Sequence, residues 1–176
     1  MNFQQIRKFD TANGTGIRVS LFVSGCSFAC KGCFNHEAWK YDSGEPFTVK
    51  ALEELLTACD SDFISGLSIL GGDPLEPRNV EQVAYIAGCF KRRFPEKSLW
   101  LWTGFTLDSL IWRMALCAKG SDATESILTD VDVLIDGQYE KDNPTSKPYR
   151  GSDNQRMWVK NTGHFNWKEV TGDMPD

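Results

Sequence analysis

Four short apolar runs, each closing on glycine, set the frame of this chain. IRVSLFV (17–23) leads to Gly25, SGLSIL (65–70) to Gly71-Gly72, SLWLWT (98–103) to Gly104 and VDVLID (131–136) to Gly137. Their length and composition predict strands. Helical periodicity fills the intervals. Thr48 is an N-cap candidate for VKALEELLTAC, where Leu52, Leu55, Leu56 and Cys59 share a face. A second helix is predicted from about Asn79 to Phe94, with Val83, Ile86, Ala87 and Phe90 apolar and Pro95 as its stop. A third covers 106–119, with Leu107, Leu110, Ile111, Met114 and Cys117 apolar, and RMWVK (156–160) is a last strand. Strands alternating with helices predict an α/β fold with a mainly parallel sheet of βαβ units. A closed eight-stranded barrel typically takes about 250 residues. A chain of 176 residues is short for that, so the expectation is an open or partial (βα) barrel, with 1–176 as one domain.

This topology gathers the motifs. In parallel α/β folds the C-terminal strand ends share one rim, where ligands bind. The loop after 17–23, Gly71-Gly72-Asp73, Thr103-Gly104 and Asp136-Gly137 all fall there. Each is weak alone, since unrelated turns also carry glycine; their shared position gives them weight. The net charge of −5 and the lack of a dense Lys/Arg run argue against a nucleic-acid partner. Lys91-Arg92-Arg93 closes a predicted helix, where it suits the helix dipole. MNFQQIRKFD has no apolar signal-peptide core, and no stretch approaches membrane-spanning length. The expectation is a cytoplasmic protein with no membrane partner, in a compartment where thiols stay reduced.

Six cysteines in such a chain point to metal or catalysis before disulfides. Cys59, Cys89 and Cys117 fall on apolar helix faces and read as small core hydrophobes. Cys26, Cys30 and Cys33 crowd into the loop SGCSFACKGCFN (24–35). Structural zinc sites close four ligands, usually from two separated pairs. No second pair is present, though His36 could complete a Cys26-Cys30-Cys33-His36 set. An iron–sulfur cube fits the spacing better, because one short loop can reach three of its irons and leave the fourth without a protein ligand. Gly25 and Gly32 allow the tight turns such wrapping needs.

C-x3-C-x2-C resembles the signature of radical S-adenosylmethionine enzymes. The strings DTANGTGIRVSLFVSGCSFACKGCFN (10–35), LGGDPLEPRNV (70–80), LWLWTGF (99–105), VDVLIDGQYE (131–140) and RGSDNQR (150–156) are similar to the activating proteins of anaerobic ribonucleoside-triphosphate reductases. The resemblance runs in order over about 10–156. It implies a radical SAM type fold and a [4Fe-4S] cluster on Cys26, Cys30 and Cys33. It also implies S-adenosyl-L-methionine chelating the open iron, with Gly32, Cys33 and Phe34 and then Gly71, Gly72 and Asp73 lining it. The physics agrees: a Gly pair lets backbone carbonyls come close to an ammonium group. GGDP also reads as a turn leading into a helix, with Pro74 near its start, and both readings can hold together.

The implied activity is reductive cleavage of S-adenosylmethionine to make a glycyl radical on the large reductase subunit. The electron comes from a reducing donor, for which the family suggests flavodoxin. The chemistry belongs to cluster and cosubstrate, so no catalytic acid–base residue is expected. A rival partner is another glycyl radical enzyme such as pyruvate formate-lyase, and a rival of a different class is a zinc-stabilised binding module. Arg150, Asn154 and Gln155 offer donors for a cosubstrate or a partner, or ties for their own loop. Trp100 and Trp102 share a strand face, where core packing is the default. His164 has no evident role. The tail 161–176 could pack, stay mobile or touch the reductase.

Overall fold

The computed structural model describes residues 1–116, 123–161 and 165–172. Strands β1 (Asn2–Asp10), β2 (Ile17–Val23) and β3 (Glu45–Pro46) precede helix α1 (Val49–Cys59). Then come β4 (Ile64–Gly71), α2 (Val80–Arg93), β5 (Ser98–Trp102), α3 (Leu107–Leu116), α4 (Ala123–Asp130), β6 (Val133–Asp136), β7 (Arg156–Lys160) and β8 (Trp167–Val170). All strands join one sheet in the order β3-β1-β2-β4-β5-β6-β7-β8.

The centre of that sheet, β2-β4-β5-β6, is parallel, and its neighbours follow one another in chain order. Right-handed crossovers between successive neighbours put all the linking helices on one face. The strands show it with period two. Val19, Leu21, Val23, Leu67, Ile69, Leu99, Leu101 and Leu134 join the main core with Leu55, Val83, Ile86, Phe90, Leu110 and Ile127. The alternate positions point the other way, where Trp100, Val133, Ile135 and Met157 form a smaller cluster. Both faces are covered, which is why the runs read as nearly continuous apolar strands.

The parallel expectation holds for the centre only. β1 and β3 on one side, and β7 and β8 on the other, pair antiparallel. The sheet is open, with β3 and β8 at its ends, and among the described residues no closed barrel forms. Polar alternation in NFQQIRKFD hides β1, whose residues are mostly half-buried or exposed.

Thr48 caps α1, its side chain accepting from the Ala51 amide. α2 begins at Val80 after Asn79, so Pro74 sits in a separate turn rather than at the helix start. Lys91 and Arg93 of its last turn pair with Asp132 and Asp60 at 3.0 and 2.5 Å. Cys59 is fully buried. Cys89 is not a core residue: it is half-buried, its sulfur 3.2 Å from the Arg92 guanidinium. Cys117 and His164 lie outside the described residues. Among those residues, no helix is long and apolar enough to cross a membrane.

Arg18 is the largest polar group inside, with 0 % exposure. Its Nε and Nη atoms donate to Ser68 Oγ, Ser98 Oγ and the carbonyls of Leu67 and Ser98 at 2.7–2.9 Å. The guanidinium also lies 5.1 Å from the Trp100 ring centre. Burial brings its pKa down to about 10, still charged at neutral pH. It clamps β2, β4 and β5 together.

Candidate functional site

The loop from Ser24 to Asn35 leaves β2 under backbone control on both sides. The Ser24 amide donates to the Asn2 carbonyl at 2.9 Å, Gly25 to Ala38 at 2.7 Å and Cys26 to Trp39 at 3.0 Å. Within the loop, the Cys33 amide closes a turn on the Cys30 carbonyl. The chain turns through left-handed conformations at Gly25, Ala29 and Gly32. A Cβ on Gly25 would stand 2.2 Å from the Tyr41 ring, so that position needs glycine for space as well as for φ.

Cys26, Cys30 and Cys33 are free thiols at partly buried positions. Burial pushes the Cys26 thiol up to about 11, so it ionises at neutral pH only against a cation's charge. Among the described residues, no three Cys, His, Asp or Glu side chains converge on a single-ion position. His36 opens a 3-10 turn, His36–Trp39, and is exposed with its ring 6.4 Å from that of Trp39.

The four motifs do meet on one rim. The Gly72 amide donates to Val23 at 2.7 Å and the Asp73 amide to Gly25 at 2.8 Å, so the Gly-Gly-Asp loop is bonded to the cysteine loop. A Cβ on Gly72 would stand 2.5 Å from the Gly25 carbonyl oxygen. The Asp73 carboxylate then reaches the next motif, accepting the Gly104 amide at 2.7 Å and the Thr103 hydroxyl at 2.9 Å. The Thr103 amide donates to Ile135, and the Gly137 amide to Phe105. Phe28 of the cysteine loop packs edge-on to Phe105, ring centres 4.8 Å apart, over a Gly104 that leaves it room. Asp73 is 1 % exposed, and burial pushes its carboxyl up to about 7 despite those donors.

Phe34 is 84 % exposed beside Cys33. The RGSDNQR residues serve their own loop: Gln155 accepts the Gly151 amide and donates to the Gly137 carbonyl, and Asn154 donates to Gln138. Arg150 reaches the Val170 carbonyl at 3.1 Å, beside β8. Arg156 closes the corner on the fully buried Asp136, which also accepts the first amide of α3, at Leu107. Trp100 and Trp102 stack at 5.8 Å on the smaller core.

Sequence reasoning missed Glu76, Asn79 and Tyr41. Glu76 is 3 % exposed and accepts from the Ser27 amide, the Ser27 hydroxyl and the Tyr41 hydroxyl at 2.6–2.7 Å. Burial alone would raise its pKa; the Ser27 and Tyr41 donors outweigh that and hold it below the ordinary value. The Asn79 amide group donates to the carbonyls of Ser24 and Asp73 at 2.9 Å. The only hint in the sequence is that Glu76 and Asn79 fall within LGGDPLEPRNV. A recess of about 690 Å³, lined in part by Tyr41, Arg78 and Asn79, shares walls with this network rather than with the thiols.

Comparison with known proteins gives this arrangement its context. Residues 12–158 match the family model described as a 4Fe-4S single cluster domain. The chain is 42 % identical over 163 residues to the anaerobic ribonucleoside-triphosphate reductase-activating protein of Enterobacteria phage T4, covering 93 % of this chain and 97 % of that protein. The proteins of the same name from Pasteurella multocida and Escherichia coli K12 are 40 % and 35 % identical, over 90 % and 88 % of this chain and 97 % and 96 % of theirs. Matched over nearly its whole length and through the cysteine loop and its bonded rim, the chain belongs to the anaerobic ribonucleoside-triphosphate reductase-activating protein family.

Proposed function

We propose that the protein activates anaerobic ribonucleoside-triphosphate reductase by generating a glycyl radical on its large subunit, through reductive cleavage of S-adenosylmethionine. Cys26, Cys30 and Cys33 hold a [4Fe-4S] cluster, and Gly32, Cys33, Phe34, Gly71, Gly72 and Asp73 line the cosubstrate. The observation that carries this reading is the pair of backbone bonds from Gly72 to Val23 and from Asp73 to Gly25. They make the cysteine loop and the Gly-Gly-Asp loop one unit, as a cosubstrate bridging cluster and protein requires.

A cluster held by Cys26, Cys30 and Cys33 would supply the reducing electron for cleavage of the sulfonium, the chemistry from which a glycyl radical on the partner would follow. The chain's own work is placement. Gly25, Ala29 and Gly32 shape the loop that presents the thiolates. The Asp73 carboxylate is spent on Thr103, Gly104 and Leu75, so it holds the rim rigid, and the backbone around Gly71 and Gly72 is left to meet the amino acid end of the cosubstrate. Phe28, packed on Phe105, anchors the loop between Cys26 and Cys30 to the rim. Phe34 gives the partner an apolar contact beside Cys33. The electron enters from a reducing protein of the flavodoxin type, in the cytoplasm.

The test is anaerobic reconstitution with iron and sulfide, then mixing with reductase, S-adenosylmethionine and a strong reductant. A doublet glycyl signal by electron paramagnetic resonance is expected. A colourless protein with stoichiometric zinc and no sulfide would sink the reading, and an active cluster with no doublet would shift it to another glycyl radical enzyme.

A further inference from the structure

Glu76 joins two segments that the chain separates widely, since Ser27 lies 49 residues before it. One carboxylate oxygen takes both donors of Ser27, the amide at 2.7 Å and the hydroxyl at 2.6 Å. The other takes the Tyr41 hydroxyl at 2.7 Å. These are the short contacts of charge-assisted hydrogen bonds, roughly twice as strong as neutral ones. Glu76 lies three residues after Asp73, past Pro74 and Leu75, and its own amide donates to the Asp73 carbonyl at 3.3 Å. Ser27 is the residue after Cys26 and stands at an exposed position. Between Cys26 and Cys30, Phe28 has its ring contact with Phe105, and the Ser27 backbone has Glu76.

We propose that Glu76 is a positioning residue that fixes the Cys26–Cys30 segment of the cysteine loop against the Gly-Gly-Asp loop, so that cluster and cosubstrate are held in one register. This rests on the function proposed above. Two backbone bonds already join the loops, but they act at Val23 and Gly25, before the first cysteine. Glu76 is the tie that acts after it. A side chain that only stabilised the fold would act equally on the whole molecule. A positioning side chain acts on the exchange of one segment and on the affinity for one ligand.

The experiment compares the full chain with Glu76→Ala, Glu76→Gln and Ser27→Ala. In cluster-free protein, amide exchange over residues 27–30 is expected to quicken by roughly tenfold or more in Glu76→Ala, the loss of a hydrogen bond to a charged group, while exchange in β4 and β5 stays as in wild type. In reconstituted protein, the concentration of S-adenosylmethionine that half-saturates the change in the reduced-cluster resonance is expected to rise by a similar factor. Glu76→Gln keeps an acceptor for the Ser27 amide and is expected to recover most of both losses. Ser27→Ala keeps the amide donor, serves if Glu76→Ala does not fold, and should show an intermediate loss. Unchanged exchange and unchanged half-saturation in Glu76→Ala and Ser27→Ala would overturn the inference while the cluster reading stands. A wild-type chain that takes up no cluster would bring down both, whatever the exchange data show.

Discussion

The Thr103 hydroxyl lies 2.9 and 3.0 Å from the two oxygens of the Asp73 carboxylate, and the next residue, Gly104, adds its amide at 2.7 Å. This bond joins the end of β4 to the end of β5 at full burial. Thr103→Ala is expected to destabilise the protein by about 1–3 kcal/mol, the usual cost of leaving a buried acceptor short of a donor. Urea denaturation of the cluster-free chain measures it, and a change below about 0.5 kcal/mol, ordinary for surface positions, would show that Gly104 and Leu75 suffice.

The same carboxyl sets a pH dependence. Burial raises Asp73 from 3.8 to about 7 in the folded chain. Through that window the folded protein keeps a proton that the unfolded chain has released, so stability falls as pH rises from about 4 to about 7 and levels off above. Asp73→Asn removes the titration. Wild-type stability, taken relative to Asp73→Asn, is expected to fall with rising pH in that window. A rise would mean that the donors hold the group ionised, with the opposite sign.

The cysteines divide by place. Cys26→Ala, Cys30→Ala and Cys33→Ala are each expected to lose stoichiometric iron and sulfide after anaerobic reconstitution, with little loss of fold. Cys59→Ala keeps its iron but trims the core between α1 and the sheet, at about 1–3 kcal/mol. Iron and sulfide analysis beside a denaturation curve separates the two classes. Iron lost from Cys59→Ala would break the division.

Gly72→Ala tests the junction of the two loops. The added methyl meets the Gly25 backbone at 2.5–2.9 Å, and backbone has no rotamer to give. The expected cost is about 1–3 kcal/mol of overpacking strain, with weaker S-adenosylmethionine binding. Calorimetry against the ligand reads the second effect. Wild-type affinity would show that the loops can part without consequence.

Arg18→Met tests the clamp under the sheet. It removes a buried cation and strands the acceptors at Ser68, Ser98 and Leu67, for an expected loss of about 2–4 kcal/mol by urea denaturation. A neutral result would mean that water replaces the guanidinium.

The central strands and helices were legible because buried parallel strands and amphipathic helices write their environment into local periodicity. Thr48 was legible as a cap for the same reason. β1 was not, because a strand of mostly half-buried and exposed residues carries no apolar run. β8, with no buried residue among its 4, carries no apolar run, and α4 is a short helix of 8 residues. In the site, glycines and cysteines stood out by spacing. Gln155 and Asn154 did not reveal that they bind their own loop, since an amide side chain looks the same whether it meets a ligand or a backbone.

The sequence by itself determined the thiol spacing, the strand-and-helix alternation and the family, because these are properties of neighbours along the chain. Only the tertiary structure decided that Asp73 holds the rim, that Glu76 holds the cysteine loop, and that the parallel strands form an open sheet with antiparallel flanks. Each depends on partners tens of residues apart, and a buried carboxylate's role is set by the donors that folding brings to it.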